Sequence, residues 1–336
     1  MTVRRVRILV VTNMYPTPQL PAFGLFVHDQ VQALRRIGTR VDVLFIDGRA
    51  NSWSYVWGLF RFWRLLWGRK YDVIHAHYVL AGIIARAQWR LPVVITHHGC
   101  EVLGYPRWQT SLAHVVTPFF EAAVYTGEHL RRALRDTDGW VVPCGIDLDL
   151  FVPIPRDIAR ARLGLNADAP LVLWAGEAWR PEKRFDLVKA SMDHVRRQMP
   201  NAQLVVVEKE PHEMMPLYMS ACDAFVFTSA AEGSPMVIKE AMACNLPVVS
   251  VRVGDVANTI VGTPLCALAE RDPSDIAAKL VQVLRERRRT DGRRRVEHLR
   301  HERIARQLVA IYEQAYREAN GRRQRPAAER AHPRQH

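Results

Sequence analysis

Short, uninterrupted apolar runs alternate with helix-length stretches along most of the chain. The spacing predicts strands at Val6–Val11, Val41–Ile46, Val73–Ala76, Val93–Thr96 and Ala122–Tyr125, with helices between them. The first helix is expected over Val27–Ile37, closed by Gly38. Runs that are apolar throughout, rather than at every second position, suit strands covered on both faces. Strand–helix alternation of this kind predicts an α/β fold with parallel, doubly wound sheets. The rhythm breaks between Pro143 and Pro155, a stretch with three prolines and little strand character, which reads as a linker. It then restarts, with strands expected at Leu171–Ala175, Leu204–Val207, Ala224–Phe227 and Pro247–Val251. The expected organisation is two similar α/β halves, one to about Val152 and one from about Pro153 to residue 296. No short-period repeat marks a solenoid.

Three segments stand outside that rhythm. Trp53–Trp67 carries four tryptophans among Arg61 and Arg64. On a helix, Trp53, Val56, Trp57, Phe60, Trp63 and Trp67 fall along one side, and Arg64 interrupts it. Two readings stand: a crossover helix with its tryptophans in the core, or a face that touches an anionic membrane. Arg285–Arg295 holds seven arginines and is expected on a solvated helix. From Gly321 the chain is basic and punctuated by proline, and is expected to be disordered.

Composition narrows the classes. With 336 residues, 49% apolar and 24% charged, the chain has ample material for two buried cores. No run approaches the ~20 apolar residues of a bilayer span. The basic N-terminus followed by Ile8–Val11 mimics a secretory leader, but the run is short and no cleavage site follows, so a first strand is expected. Five cysteines without a close pair suggest a reducing, cytoplasmic setting with neither disulfide framework nor zinc knuckle. A net charge of +13 favours an anionic partner. No recognised nucleic-acid module accompanies that charge, and no nucleic acid is expected.

The first strand–helix loop reads NMYPTPQLPAFG and has one glycine, Gly24, which argues against a GxGxxG dinucleotide site. Gly24 can still bring backbone close to a phosphate at a helix start. The segment AAEGSPMVIKEAMACNLPVVS places Glu232 just outside an expected helix, with Ser234 as its cap and Pro235 at its first position. Glu240 then lies less than two turns inside. His75 and His77 share a strand face and read as packing residues, since no convincing third metal ligand is spaced near them.

These segments resemble the family-4 glycosyltransferases of the GT-B fold. Glu232 and Glu240 match the family's E-x7-E spacing. YDVIHAHYVLAG is similar to its third strand and crossover helix, and THHGCEV to its THGxD loop, with Cys100 and Glu101 as replacements. VVPCGIDLDLF is similar to the domain-crossing PNGVDxxxF, and WAGEAWRPEKRFDL to the opening of the second domain. The ordered set spans about residues 6–290, and its style is that of the teichuronic-acid and exopolysaccharide subgroup.

The resemblance implies two Rossmann-like domains facing a central cleft, with the last helix, Glu297–Asn320, crossing back to the first domain. It implies transfer of a sugar, with retention, from a nucleotide-diphosphate sugar to a polysaccharide or lipid-linked glycan, without cofactor or catalytic metal. Glu240 would accept hydrogen bonds from the donor ribose. Glu232, with the backbone of Gly233, Ser234 and Pro235, would hold the transferred sugar. Lys183 would face the diphosphate, with Gly24 close to it, and His98 would stand near the reacting sugar. The family's arginine after the glycine is absent: Glu177 follows Gly176, and Arg180 or Arg184 is left to replace it. The Asp147-Leu148-Asp149 string belongs to the domain crossing rather than to a metal-binding DxD. A non-catalytic partner subunit and a nucleotide-sugar epimerase on the same fold are the alternatives.

Overall fold

The computed structural model describes residues 6–49, 51, 53–103 and 107–324. The chain forms two compact units, Met1–Gly145 with Glu302–His336, and Ile146–His301.

In the first unit six parallel strands lie in the order β2-β1-β3-β4-β5-β6. They are β1 (Arg7–Thr12), β2 (Arg40–Phe45), β3 (Val73–His77), β4 (Val93–His97), β5 (Ala122–Tyr125) and β6 (Trp140–Val141). Every residue of β3 and β4 is buried, His75, His77, Thr96 and His97 included, as strands covered on both faces require. The helices are α1 (Leu25–Arg36), α2 (Ser54–Gly68), α3 (Val79–Ala85), α4 (Arg107–Val116), α5 (Glu128–Ala133) and, from the end of the chain, α13 (His301–Gln324). In α1, Val27, Val31 and Leu34 repeat at helical spacing and are fully buried, while Arg35 and Arg36 face the negative end of the helix dipole.

The second unit has five parallel strands in the order β11-β10-β9-β7-β8. They are β7 (Leu171–Ala175), β8 (Gln203–Val207), β9 (Ala224–Phe227), β10 (Val248–Val251) and β11 (Ala267–Ala269). Its helices are α6 (Arg156–Leu163), α7 (Phe185–Gln198), α8 (Met215–Ala221), α9 (Met236–Ala243), α10 (Val256–Ile260), α11 (Pro273–Glu286) and α12 (Gly292–Val296). The start of α11 is written locally: Asp272 accepts from the amides of Ser274 and Asp275, and Pro273 occupies the first turn.

Several expectations are corrected. The division falls after Gly145, not Val152. Ile146 exchanges backbone hydrogen bonds with Leu299 and His301, and Arg293 donates to the carbonyls of Leu148 and Phe151. These bonds hold residues 146–152 within the second unit. Glu297–Leu299 is a 3-10 turn of that unit, and the last helix begins at His301. That helix continues to Gln324, past the expected start of disorder at Gly321; residues 325–336 lie outside the described residues. Arg285–Arg295 is not one solvated helix. Arg287 adopts φ 48° after α11, and Arg289 turns inward to donate to Met219 and Ser220 carbonyls.

Helix α2 departs most. Phe62 enters the core with Leu9, Leu44 and Ile74, and Trp63 packs partly against the same cluster. Trp53, Trp57 and Trp67 do not: they are 67%, 68% and 87% exposed, and Val56 and Phe60 are exposed beside them. The core reading of the tryptophans fails because Phe62, Tyr55, Leu65 and Leu66 already supply the inner face of the helix.

Entry into the second sheet depends on one buried ion pair. Arg160 Nη2 lies 2.8 Å from Asp223 Oδ2, and both side chains are almost fully buried. The guanidinium also donates to the carbonyls of Ala221 and Ala169, and Asp223 accepts from the Leu171 amide. Asp223→Ala should destabilise the second unit by about 3–5 kcal/mol, since it leaves a buried guanidinium without its counter-charge. Amide exchange across Leu171–Ala175 under increasing urea measures this, and unchanged protection refutes it.

Candidate functional site

Parallel strands hide both faces, so polar side chains gather at their carboxyl ends. In the second unit the loops after β7, β8, β9 and β10 do this together. After β7 the chain makes a 3-10 turn, Pro181–Lys183, and Arg184 takes φ 51° to enter α7. The loop is latched to the end of β9: Thr228 Oγ1 donates to the Lys183 carbonyl at 2.9 Å, and the Ala230 amide to the Glu182 carbonyl at 2.7 Å. Lys183 Nζ thereby reaches Glu232 Oε1 at 2.8 Å, with both side chains about one-fifth exposed.

Glu240, buried in α9, meets the imidazole Nε2 of His212 at 2.9 Å through Oε1. His212 follows β8, and its ring stands edge-on to Phe151. Ser234 does not cap α9. Pro235 occupies the cap position, and the Ser234 hydroxyl donates to Asp255 Oδ2 at 2.6 Å while accepting from buried Lys239 Nζ at 2.5 Å. Satisfying a buried ammonium outranks capping, because an unpaired buried charge costs more than a lost cap. Gly254, at φ 54°, lies against the Glu232–Gly233 backbone so closely that a Cβ would stand 2.5 Å from the Gly233 carbonyl oxygen.

The two arginines expected near Lys183 are engaged elsewhere. Arg180 pairs with Glu182 at 2.6 Å and Glu177 at 3.5 Å, and Arg184 pairs with Asp186 at 2.9 Å. Glu177 therefore has a partner in Arg180. The Asp147–Asp149 string is also accounted for: Asp147 accepts from the Asp149 and Leu150 amides, and Asp149 pairs with Arg300.

In the first unit, β1, β3 and β4 end side by side. Gly24 takes φ 70° at the start of α1, and a Cβ there would stand 2.4 Å from the Met14 carbonyl carbon. His98 follows β4. Its amide and that of Gly99 donate to the carboxylate of Glu101, which is fully buried. The His98 ring stacks on His77, and Phe26 and Tyr78 flank it. His75 and His77 are buried as packing residues, their rings 4.2 Å apart. Burial drives both below the ordinary imidazole range, His77 to about 3, and His98 is pushed down likewise. Among the described residues no group of three or more histidine, cysteine or acidic side chains is arranged to hold a metal ion.

The structure thus brings Lys183, Glu232, Gly233, Ser234 and Glu240 together in one unit, and Gly24 and His98 to neighbouring strand ends in the other. Sequence reasoning missed His212, Lys239 and Asp255. Asp255 follows β10 within Val253-Gly254-Asp255, and the strand-end rule alone could have marked it. Nothing local marks buried Lys239, which sits within an ordinary helical run.

Residues 2–150 match the model of glycosyltransferase family 4, and residues 208–286 that of the group 1 glycosyl transferases. The chain is 28% identical over 313 residues to a D-inositol 3-phosphate glycosyltransferase of Geodermatophilus obscurus, covering 76% of this chain and 69% of that one. It is 25% identical over 328 residues to the putative teichuronic acid biosynthesis glycosyltransferase TuaC of Bacillus subtilis, covering 75% and 82%. Among solved structures, sucrose-phosphate synthase from Thermosynechococcus elongatus superposes with a TM-score of 0.74 at 20% identity, over 94% of this chain and all of the other. Anabaena HepE in complex with UDP and glucose gives 0.66 at 17%, over 92% and all of the other. The likeness shows a GT-B fold built of two Rossmann-like units.

Neutral burial of His75, His77 and His98 carries a pH signature. Unfolded imidazoles bind protons below about pH 6.5, whereas the folded ones resist protonation until far lower pH, about 3 for His77. The unfolded state therefore gains protons on acidification. Stability of the first unit should fall between pH 6.5 and about 3, by about 1.4 kcal/mol per pH unit for each such histidine. Urea unfolding from pH 7 to pH 4 tests it; a midpoint independent of pH refutes neutral burial.

Proposed function

Because the chain belongs to the family-4 glycosyltransferases, we propose that it transfers a sugar, with retention, from a nucleotide-diphosphate sugar to a polysaccharide or lipid-linked glycan acceptor. The observation that carries the donor site is the meeting of the loops after the adjacent strands β7 and β9, where Lys183 Nζ stands 2.8 Å from Glu232, with Glu240 in the helix that the second loop enters. In this reading Lys183 exchanges Glu232 for the donor diphosphate and offsets charge as the diphosphate leaves. Glu232, released, and the Gly233–Pro235 backbone hold the sugar, and Glu240, oriented by His212, accepts from the ribose hydroxyls. Neutral His98 hydrogen-bonds near the reacting centre, and Gly24 admits the phosphates to backbone. The charge is met by side chains, and no metal ion or cofactor is given a role. HepE, a neighbour solved with UDP and glucose, supports a nucleotide donor. TuaC, a putative teichuronic acid biosynthesis glycosyltransferase 25% identical to this chain, supports a polysaccharide as product.

The reading places the protein at the cytoplasmic face of a membrane. No helix of the described residues is long and apolar enough to cross a membrane. Helix α2 instead turns Val56, Trp57, Phe60 and Trp67 outward beside exposed Arg61 and Arg64, and no acidic residue lies between Asp47 and Asp72. Tryptophan favours the bilayer interface, and each nearby cation adds about 1 kcal/mol toward anionic lipid.

A thermal-shift panel of UDP-, GDP-, ADP- and CMP-sugars tests the donor reading. A donor at 100 times its dissociation constant should stabilise by about 2.7 kcal/mol. Glu240→Ala should weaken that donor about ten- to a hundredfold, the loss of a charge-assisted hydrogen bond, while Lys183→Ala should lower kcat more than affinity. No stabilisation by any nucleotide sugar sinks the donor reading, and normal affinity and turnover in Glu240→Ala removes the ribose role.

Sedimentation with liposomes tests the membrane reading. Wild type should pellet with anionic vesicles at low salt and be released by salt, and a Trp57→Ala/Trp67→Ala variant should remain soluble. Wild type that ignores anionic vesicles refutes attachment; equal binding by the folded variant removes α2 from it.

A further inference from the structure

His98 ends a chain of buried and partly buried polar contacts that runs through the first unit, and Gln30 of α1 sits at its branch point. His98 Nε2 lies 2.9 Å from His77 Nδ1. The other nitrogen of His77, Nε2, lies 3.4 Å from Gln30 Nε2. The same Gln30 nitrogen lies 3.5 Å from His75 Nδ1, which also meets the Tyr312 hydroxyl of α13 at 2.8 Å. His75 Nε2 closes the far end on Thr96 Oγ1 at 2.7 Å.

A neutral imidazole carries one proton, so a bond accepted at one nitrogen dictates a bond donated at the other. An amide nitrogen only donates. Gln30 Nε2 therefore makes His77 Nε2 an acceptor, and His77 Nδ1 must carry the proton. That proton is donated to His98 Nε2. His98 in turn must carry its own proton on Nδ1, the ring nitrogen without a partner among the described residues. On the other branch, the single lone pair of His75 Nδ1 is shared, mainly by the Tyr312 hydroxyl at 2.8 Å and weakly by the Gln30 amide at 3.5 Å, so His75 Nε2 donates to Thr96. Every ring is left with one proton and one filled acceptor. A turned amide would present oxygen to the same two nitrogens and reverse each bond, leaving His98 Nδ1 bare.

We propose that Gln30 is a positioning residue that fixes the tautomer of His98, so that His98 presents Nδ1–H as a hydrogen-bond donor and not as a base. The consequence for transfer rests on the reading that gives His98 a place beside the reacting sugar. A donor there suits an oxygen that gains negative charge during transfer. It does not suit removal of a proton from an acceptor hydroxyl. Gln30 acts through His77 and touches no substrate in this scheme.

The test is 15N NMR of the histidine rings in the full chain, where protonated and bare ring nitrogens resonate far apart. Wild type should show the proton on Nδ1 of His77 and His98 and on Nε2 of His75. Gln30→Glu supplies acceptors only and should move the proton of His77 and His98 to Nε2. Should Gln30→Glu not fold, Gln30→Met keeps the size without polar atoms and should leave His77 and His98 as tautomer mixtures. A wild-type His98 protonated on Nε2, or a pattern unmoved by either substitution, overturns the proposal. Release of nucleoside diphosphate from the UDP-, GDP- and ADP-sugar panel separates the two readings. With the tautomers inverted, kcat should fall about ten- to a hundredfold with donor affinity unchanged. Inverted tautomers with undiminished kcat uphold the relay and remove His98 from the transfer step.

Discussion

A parallel sheet covered on both faces leaves polar groups only one economical place, the ends of its strands. Both units obey this constraint. Residues such as Leu9, Val73 and Val249 fill the sheets and carry no chemistry. The groups of the candidate sites, Lys183, His212, Glu232, Asp255 and His98, all lie in the segments that follow a strand's last residue. Their geometry is inherited from strand spacing and needs few dedicated contacts. The Thr228 and Ala230 bonds to the Lys183 loop are the added stitching, and they tie one strand end to its neighbour.

Several polar groups that do go inside are matched by partners of their own. Arg160 answers Asp223, Lys239 answers Ser234 and Asp255, and His75 answers Thr96 and Tyr312. Such pairs add little net stability over apolar replacements, but each fixes a geometry that apolar packing alone would leave free. In the loop after β9, Lys239 holds Ser234 and Gly254 abuts Gly233, so the backbone after Glu232 is held from two sides.

The sheet strands were legible because burial on both faces writes itself as continuous apolar sequence. Val73–Ala76, Leu171–Ala175 and Ala224–Phe227 differ from the observed strands by a residue at most. Strands β6 and β11 escaped, being edge strands of two and three residues with too little apolar sequence to show. Glu232, Glu240 and Lys183 were legible through spacing and resemblance. Ser234 was misread because a local capping rule gave way to a distant carboxylate, Asp255, that only folding brings near. Helix α2 was ambiguous since both its faces are apolar, and periodicity cannot say which of two apolar faces turns inward.

The contact between His75 and Tyr312 joins residues 237 positions apart, with the whole second unit spelled out between them. On the ribosome the six strands of the first sheet are complete long before α13 exists. At roughly 5–20 residues per second, that interval is on the order of 10–40 s. Through it the buried imidazole of His75 lacks its phenol, and Leu308, Ile311 and Ala315, which are buried in the finished unit, have not yet been made. The second unit, contiguous from Ile146 to His301 and tied shut by the pairing of Ile146 with Leu299 and His301, has all its parts first. The order of completion therefore inverts the order of the sequence: the half of the protein that begins last is the first able to finish, and the half that begins first waits for α13.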